Sequence, residues 1–205
     1  MTPSRSCTTL LLLLTLCSGA LLAQGKGSKS SMPSQEEMMK RWQEAATPGE
    51  GHKVLEALVG TWETSASTWM EGPDKPPSVT TGKAESRWVL DGRFVQQDFS
   101  GEMMGQPMSG IGLTGYDNFK KKYVGFWIDN TSTAIYTMEG TIDKAGHVIT
   151  LYGVSDDPMT GQKNKKVKYV TTIVDENHHT FDIFDVDQKG KARKVVSISY
   201  ARSES

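Results

Sequence analysis

The chain has 205 residues, and its 23 basic against 24 acidic side chains leave a formal net charge of -1. That balance offers no basic surplus for nucleic acid or an anionic membrane surface. Its only cysteines, Cys7 and Cys17, stand near the N-terminus, so the rest of the chain has no disulfide, thiolate nucleophile or thiolate metal site.

Arg5 precedes an apolar run, Leu10 to Leu16, and small residues Ser18, Gly19, Ala20 and Ala23 follow. This order reads as a secretory signal peptide spanning 1–23. Cleavage is expected after Ala23, with Ala20 the alternative. The run is shorter than the roughly 20 residues of a membrane span. An uncleaved anchor and a lipoprotein linked at Cys17 are the competing readings, and bulky Leu16 before the cysteine disfavours the second. The expected localisation is secreted or periplasmic. The roughly 180 residues that remain suffice for one core.

Residues 24–34 are rich in Gly, Ser and Lys and read as a flexible leader. Ser34 and Glu37 then have capping-box spacing, and Met38, Met39, Trp42 and Ala45 make a partial apolar face. This predicts a short helix, broken at TPGEG. HKVLEALVG predicts a second, ended by Gly60. From Thr61 onward, short alternating runs are punctuated by turns. TWETSASTWM, GKAESRWVL and RFVQQDF are strands, the last two joined at Asp91-Gly92 by a two-residue hairpin. EMMGQP reads as a loop. MSGIGLTGY and KKYVGFWI, TAIYTMEGTI and HVITLYGV, then VKYVTTIV and TFDIFDV follow as hairpin pairs. DDPMTGQKNKK reads as a longer polar loop, and KVVSISYA is the last strand. About ten antiparallel strands with no intervening helices call for closure, because a barrel removes exposed edges.

Alternation places Trp62, Thr64, Ala66, Thr68 and Met70 on one face, and likewise Gly82, Ala84, Ser86, Trp88 and Leu90. Tyr169, Thr171 and Ile173 share another. These inward sets mix large, small and hydroxyl side chains, which favours a barrel with interior space over a solid sandwich. The fold expected is an all-β, roughly ten-stranded up-and-down barrel with one or two short N-terminal helices, as a single domain over 35–205.

GTWE, Gly60 to Glu63, resembles the G-x-W that opens a lipocalin-like calycin barrel. The resemblance implies that Trp62 closes one end of the barrel and that Arg202, from the terminal SYAR, packs over it. Asp91 to Asp129, DENHHTF (Asp175 to Phe181) and SISYAR resemble the bacterial domain of unknown function 1579 family, over about Gly51 to Arg202. That resemblance implies a fold and little about activity.

GIGLTG, Gly110 to Gly115, matches the G-x-G-x-x-G dinucleotide fingerprint, and Asp129 follows at a tempting distance. Only YDNFKKK separates it from the next strand, whereas a three-turn helix takes about 11 residues. The glycines read instead as strand glycines that permit a bend or a close approach. No histidine spacing supports a metal, and His178 and His179 are expected to be solvated in the ENHH turn. Haem ligation by a barrel-lining histidine, known among calycin-like barrels, is the sharper alternative. DVDQKG fails as a calcium loop, since Lys189 and Val196 occupy ligand positions. Asp156 and Asp157 are adjacent and point apart if extended. There is no nucleophile elbow or P-loop.

No catalytic or metal residue and no cofactor is therefore assigned. The cavity candidates are Trp88, Gln97, Trp127, Tyr136, Met138 and Tyr169, with Met103, Met104 and Met108 as a flexible apolar rim. The leading reading is non-covalent binding of a small apolar molecule inside the barrel. The second is a filled barrel acting as a structural or interaction domain, including a homodimer. An enzyme on the same scaffold is third.

Overall fold

A computed structural model describes residues 32–70, 72 and 74–203. The chain divides into two units, 1–34 and 35–205. Of the first, only Met32–Ser34 are described, in neither helix nor strand, so the expected signal peptide and most of the leader lie outside the described residues.

The second unit begins with α1 (Gln35–Ala46) and α2 (Glu50–Lys53), then a 3-10 turn over Val54–Leu58. Ten strands follow: β1 (Gly60–Thr68), β2 (Ser78–Val89), β3 (Phe94–Met103), β4 (Gln106–Asp117), β5 (Lys122–Asp129), β6 (Tyr136–Ile142), β7 (Val148–Asp157), β8 (Gln162–Ile173), β9 (His178–Val186) and β10 (Ala192–Arg202). Each pairs antiparallel with its neighbour in sequence, and β10 returns to β1, closing the barrel. At the seam Trp62 stands opposite Arg202 and Thr64 opposite Tyr200. Closure leaves no unpaired sheet edge, which is how a meander without covering helices avoids aggregation.

One end, the floor, carries the start of β1, the end of β10 and the 3-10 turn. Leu55 from that turn is fully buried and packs with Val95, Tyr123, Ile149, Leu151, Val167 and Tyr169. Helix α1 has no buried residue. Its C-terminal end is tied to the β4–β5 turn by the Asn118 amide, which donates to the carbonyls of Glu44, Ala45 and Thr47.

Several turns differ from the sequence expectation. Asp91-Gly92 is not a two-residue hairpin, because pairing ends at Val89 and Phe94 and leaves a four-residue turn. Leu90, Asp91 and Gly92 all have positive φ there, and Arg93 donates to the Leu90 carbonyl. EMMGQP is not a loop. β3 and β4 pair up to Met103 and Gln106, and only Met104 and Gly105 turn, both at positive φ. Likewise the polar stretch after Asp156 is mostly strand. The carboxylate of Asp157 accepts from the backbone amides of Met159 and Thr160 and so closes a turn over Pro158–Gly161. Gly60 follows the Val59 cap of the 3-10 turn and at the same time begins β1, at φ +137°.

Candidate functional site

The floor is closed by stacked side chains. Trp62 is fully buried and its indole N–H donates to the Leu58 carbonyl at 3.1 Å. The Arg202 guanidinium lies 4.2 Å from the Trp62 ring centre. It also donates to the carbonyls of Val59 at 2.9 Å and Glu176 at 3.0 Å, which fixes it as a bracket over the ring. A Cβ on Gly60 would lie 2.1 Å from the Arg202 Nη1. Glycine there leaves the space that the guanidinium occupies.

His179 belongs to this layer and is not solvated. It pairs with Tyr200 in register, stacks on that ring at 4.2 Å and meets the Trp62 edge at 4.4 Å. Alternation with Phe181 and Ile183 turns it inward, and the turn ends two residues earlier than expected, so that β9 starts at His178, which is exposed beside Asp175. Burial, with the Arg202 charge adding to it, lowers the His179 pKa to about 4. Its Nδ1 is buried without a hydrogen-bond partner. An imidazole held between two aromatic neighbours serves the core, and no metal-holding cluster of His, Asp or Glu occurs among the described residues.

Trp88, one of the cavity candidates, is also at the floor, where its indole N–H donates to Glu56 at 2.6 Å. Neighbouring Arg87 faces outward and pairs with Asp98. Gln97 lies higher, on the inward face of β3. Its amide donates to the Ser86 hydroxyl at 3.3 Å and also engages the Tyr200 hydroxyl.

Of the remaining four candidates, Trp127 and Tyr136 pair towards the other end, the mouth, while Met138 and Tyr169 lie deeper, with the core. Trp127 pairs in register with Gly112 on one side and Tyr136 on the other. Its ring lies on the backbone of β4. A Cβ on Gly110 would be 2.2 Å from Trp127 Cζ2, and one on Gly112 would be 3.2 Å from Cε3. The indole N–H donates to Asp129 at 2.8 Å, and Phe99 meets the ring edge-on at 6.1 Å. The glycines of GIGLTG therefore seat an aromatic side chain. Met138 packs on the core from β6, and Tyr169 stacks with Phe181 at 6.0 Å. Above them, a cleft of about 400 Å³ opens between 131–134 and 156–163, with Tyr136 in its lining.

The mouth also carries a charged cluster that the sequence reading missed. The Lys165 ammonium contacts Asp157 and Asp185, each at 3.1 Å, and Asp185 in turn holds Arg193 at 3.1 Å. Lys165 shares the inward face of Val167 and Tyr169, and its side chain is 17 % exposed. Burial opposes the Lys165 charge, but bonds to Asp185 and Asp157 outweigh it and raise its pKa. The Asp157 carboxylate is lowered to about 2 by the turn amides it accepts from and by Lys165. The signal was available: alternation carried back from Tyr169 reaches Lys165 at the second step.

Residues 47–202 match the sequence profile of DUF1579, described as a protein of unknown function. The chain belongs to the DUF1579 family. No protein of curated function shows significant sequence similarity to it. Among solved structures, this DUF1579 barrel is similar to Rv2717c from M. tuberculosis, with a TM-score of 0.54 at 14 % identity, covering 77 % of this chain and 100 % of that one. It is also similar to the S-type phycobiliprotein lyase CPES from Guillardia theta, with a TM-score of 0.52 at 12 % identity, covering 84 % and 99 %. At such identities these likenesses establish a shared barrel fold and no more. Among the described residues of the DUF1579 chain, no helix is long and apolar enough to cross a membrane.

Proposed function

We propose that this DUF1579 protein is exported and that its barrel holds a small, largely apolar molecule at the mouth, without covalent chemistry. The observation that carries the reading is the asymmetry of the barrel. The floor is filled and capped by Leu55, Trp62 and Arg202. The opposite end opens into a cleft of about 400 Å³ lined by Tyr136, with Trp127 paired beside that residue. Aromatic walls with a few polar groups are the usual composition of a small-molecule site. The fold shared with a phycobiliprotein lyase is compatible with this reading. Solvent extraction of protein purified from its native host, followed by mass spectrometry, tests it. A stoichiometric organic molecule is expected. An empty extract together with failure to bind apolar fluorophores refutes the proposal. Export is tested separately by sequencing the N-terminus of the mature protein, expected to begin at Gln24.

A second reading, an interaction domain, is favoured by the exposed apolar side chains of Met38, Met39 and Trp42 on α1 and Met104 at the mouth. A mass that rises with concentration in light scattering supports it.

A further inference from the structure

Tyr169 is 7 % exposed, yet none of the described residues hydrogen-bonds its hydroxyl, which is not among the fully enclosed unpaired atoms and so keeps some accessible surface. Its ring leans along β7 over Gly153, where an added Cβ would lie 3.4 Å from Tyr169 Cε2. Tyr136 and Asp185 are near enough to act on the hydroxyl electrostatically, and burial, with these two, pushes its pKa up to about 12. The group therefore stays protonated and has a proton to donate. A buried phenol lacking a partner is costly, and a ligand atom that accepts from it recovers that cost.

The charges around it constrain the ligand further. Lys165 and Arg193 are matched by Asp157 and Asp185, two cations against two anions. The Asp129 carboxylate is already engaged by Trp127 and Thr131. An anionic ligand group beside Tyr169 would meet Asp157 and Asp185, and either sign of charge there would have to break their pairs with Lys165 and Arg193.

Resting on the ligand-binding reading above, we infer that the barrel interior beside Tyr169 takes an uncharged aromatic molecule bearing a carbonyl-type acceptor, and that the Tyr169 hydroxyl is the donor that anchors it. The flat body lies against Trp127 and Met138, and the acceptor points at Tyr169.

The test uses three fluorescent probes built on one dimethylaminonaphthalene: the 6-propionyl ketone, its 6-propyl analogue without the carbonyl, and the 6-carboxylate. Titrations compare wild type with Tyr169→Phe, which keeps the stacked ring. The wild type is expected to bind the ketone most tightly. Tyr169→Phe should weaken the ketone about five- to tenfold and leave the propyl analogue unchanged. Equal effects on both probes, no effect on the ketone, or tightest binding of the carboxylate overturns the inference alone. Failure of all three to bind wild type overturns the inference, and together with an empty solvent extract it overturns the ligand-binding reading as well. If the variant does not fold, the carbonyl stretch of the ketone on wild type carries the test. A frequency below that in hexane is expected, and a hexane-like value refutes the hydrogen bond.

Discussion

Gly110 and Gly112 are adjacent inward positions of β4, and they make different demands on the Trp127 ring. A methyl group on Gly110 would lie 2.2 Å from Cζ2 and 2.6 Å from Cη2 of Trp127, whereas one on Gly112 would reach no atom closer than 3.2 Å. Gly110→Ala must therefore tilt the indole off the strand. The ring is not free to follow, since its N–H is bonded to Asp129 at 2.8 Å and Phe99 stands against it. Overpacking of this kind costs about 1–3 kcal/mol, and alanine in a strand regains about 0.5–1 kcal/mol relative to glycine. The net loss for Gly110→Ala is about 1–2 kcal/mol. With a urea slope of about 2 kcal/mol/M, the midpoint should fall by about 0.5–1 M. Gly112→Ala should fall within about 0.5 kcal/mol of wild type. Urea denaturation measures the stabilities, and near-UV circular dichroism reports the tilt of Trp127. Equal losses from the two variants, or an unchanged Trp127 signal in a stable Gly110→Ala protein, would show that the glycines do not seat the ring.

Trp62→Ala removes a fully buried indole, its bond to Leu58 and the surface under Arg202. A loss of about 3–5 kcal/mol is expected in chemical denaturation, and a value below about 1 kcal/mol contradicts the closure of the floor. The His179 pKa, lowered to about 4 from 6.5, makes the unfolded chain bind more protons than the native one between those values. Stability should therefore be complete above pH 6.5 and fall by about 3 kcal/mol as the pH drops towards 4. His179→Phe keeps the stack on Tyr200 and should remove most of that slope in denaturation at stepped pH. A smaller part should persist, because His52 is lowered in the same direction by burial and by Arg93. Lys165→Met leaves Asp157 and Asp185 without their shared cation and should cost about 1–3 kcal/mol at pH 7. The loss should be smaller in an Asp157→Asn background, and an equal loss in both backgrounds would refute the pairing.

The barrel was legible because two local signals agreed, period-two alternation and turn chemistry at short intervals. Both fail where a residue takes a conformation unusual for its type. Met104 adopts a positive φ of 53°, which costs a non-glycine side chain about 1–2 kcal/mol. EMMGQP therefore did not read as a tight turn. Asp157 closes its turn with side-chain hydrogen bonds that composition does not reveal. Trp62 and Arg202 were readable through the G-x-W resemblance. His179 was misplaced because ENHH looks like one polar turn, although alternation with Phe181 and Ile183 already pointed it inward. Lys165 was overlooked for a similar reason: in NKKVK it passes for a solvated run, and its partners Asp157 and Asp185 come from two other strands. Trp88 stands apart from the other cavity candidates because its partner, Glu56, comes from the 3-10 turn, which local alternation does not reveal.

On the proposed reading the two ends of the barrel divide stability from recognition, and the division is itself testable. The largest fully buried side chains, Leu55, Trp62, Tyr123 and Ile149, all belong to the floor half. Local opening there requires breaking the core, so it costs nearly the global stability, whereas turns at the mouth open more cheaply. Floor substitutions should move the unfolding transition and leave the mouth able to bind. Substitutions at the mouth should act on binding first. Lys165 is the informative exception. It lies at the mouth, yet it joins β8 to β7 and, through Asp185, to β9. Its loss should lower stability and loosen the mouth together, which Tyr169→Phe should not do. If Lys165→Met instead left binding intact while destabilising the fold, the charged cluster would be a clamp between strands rather than part of the recognition surface, and the ligand would be positioned by the aromatic wall and the Tyr169 hydroxyl alone.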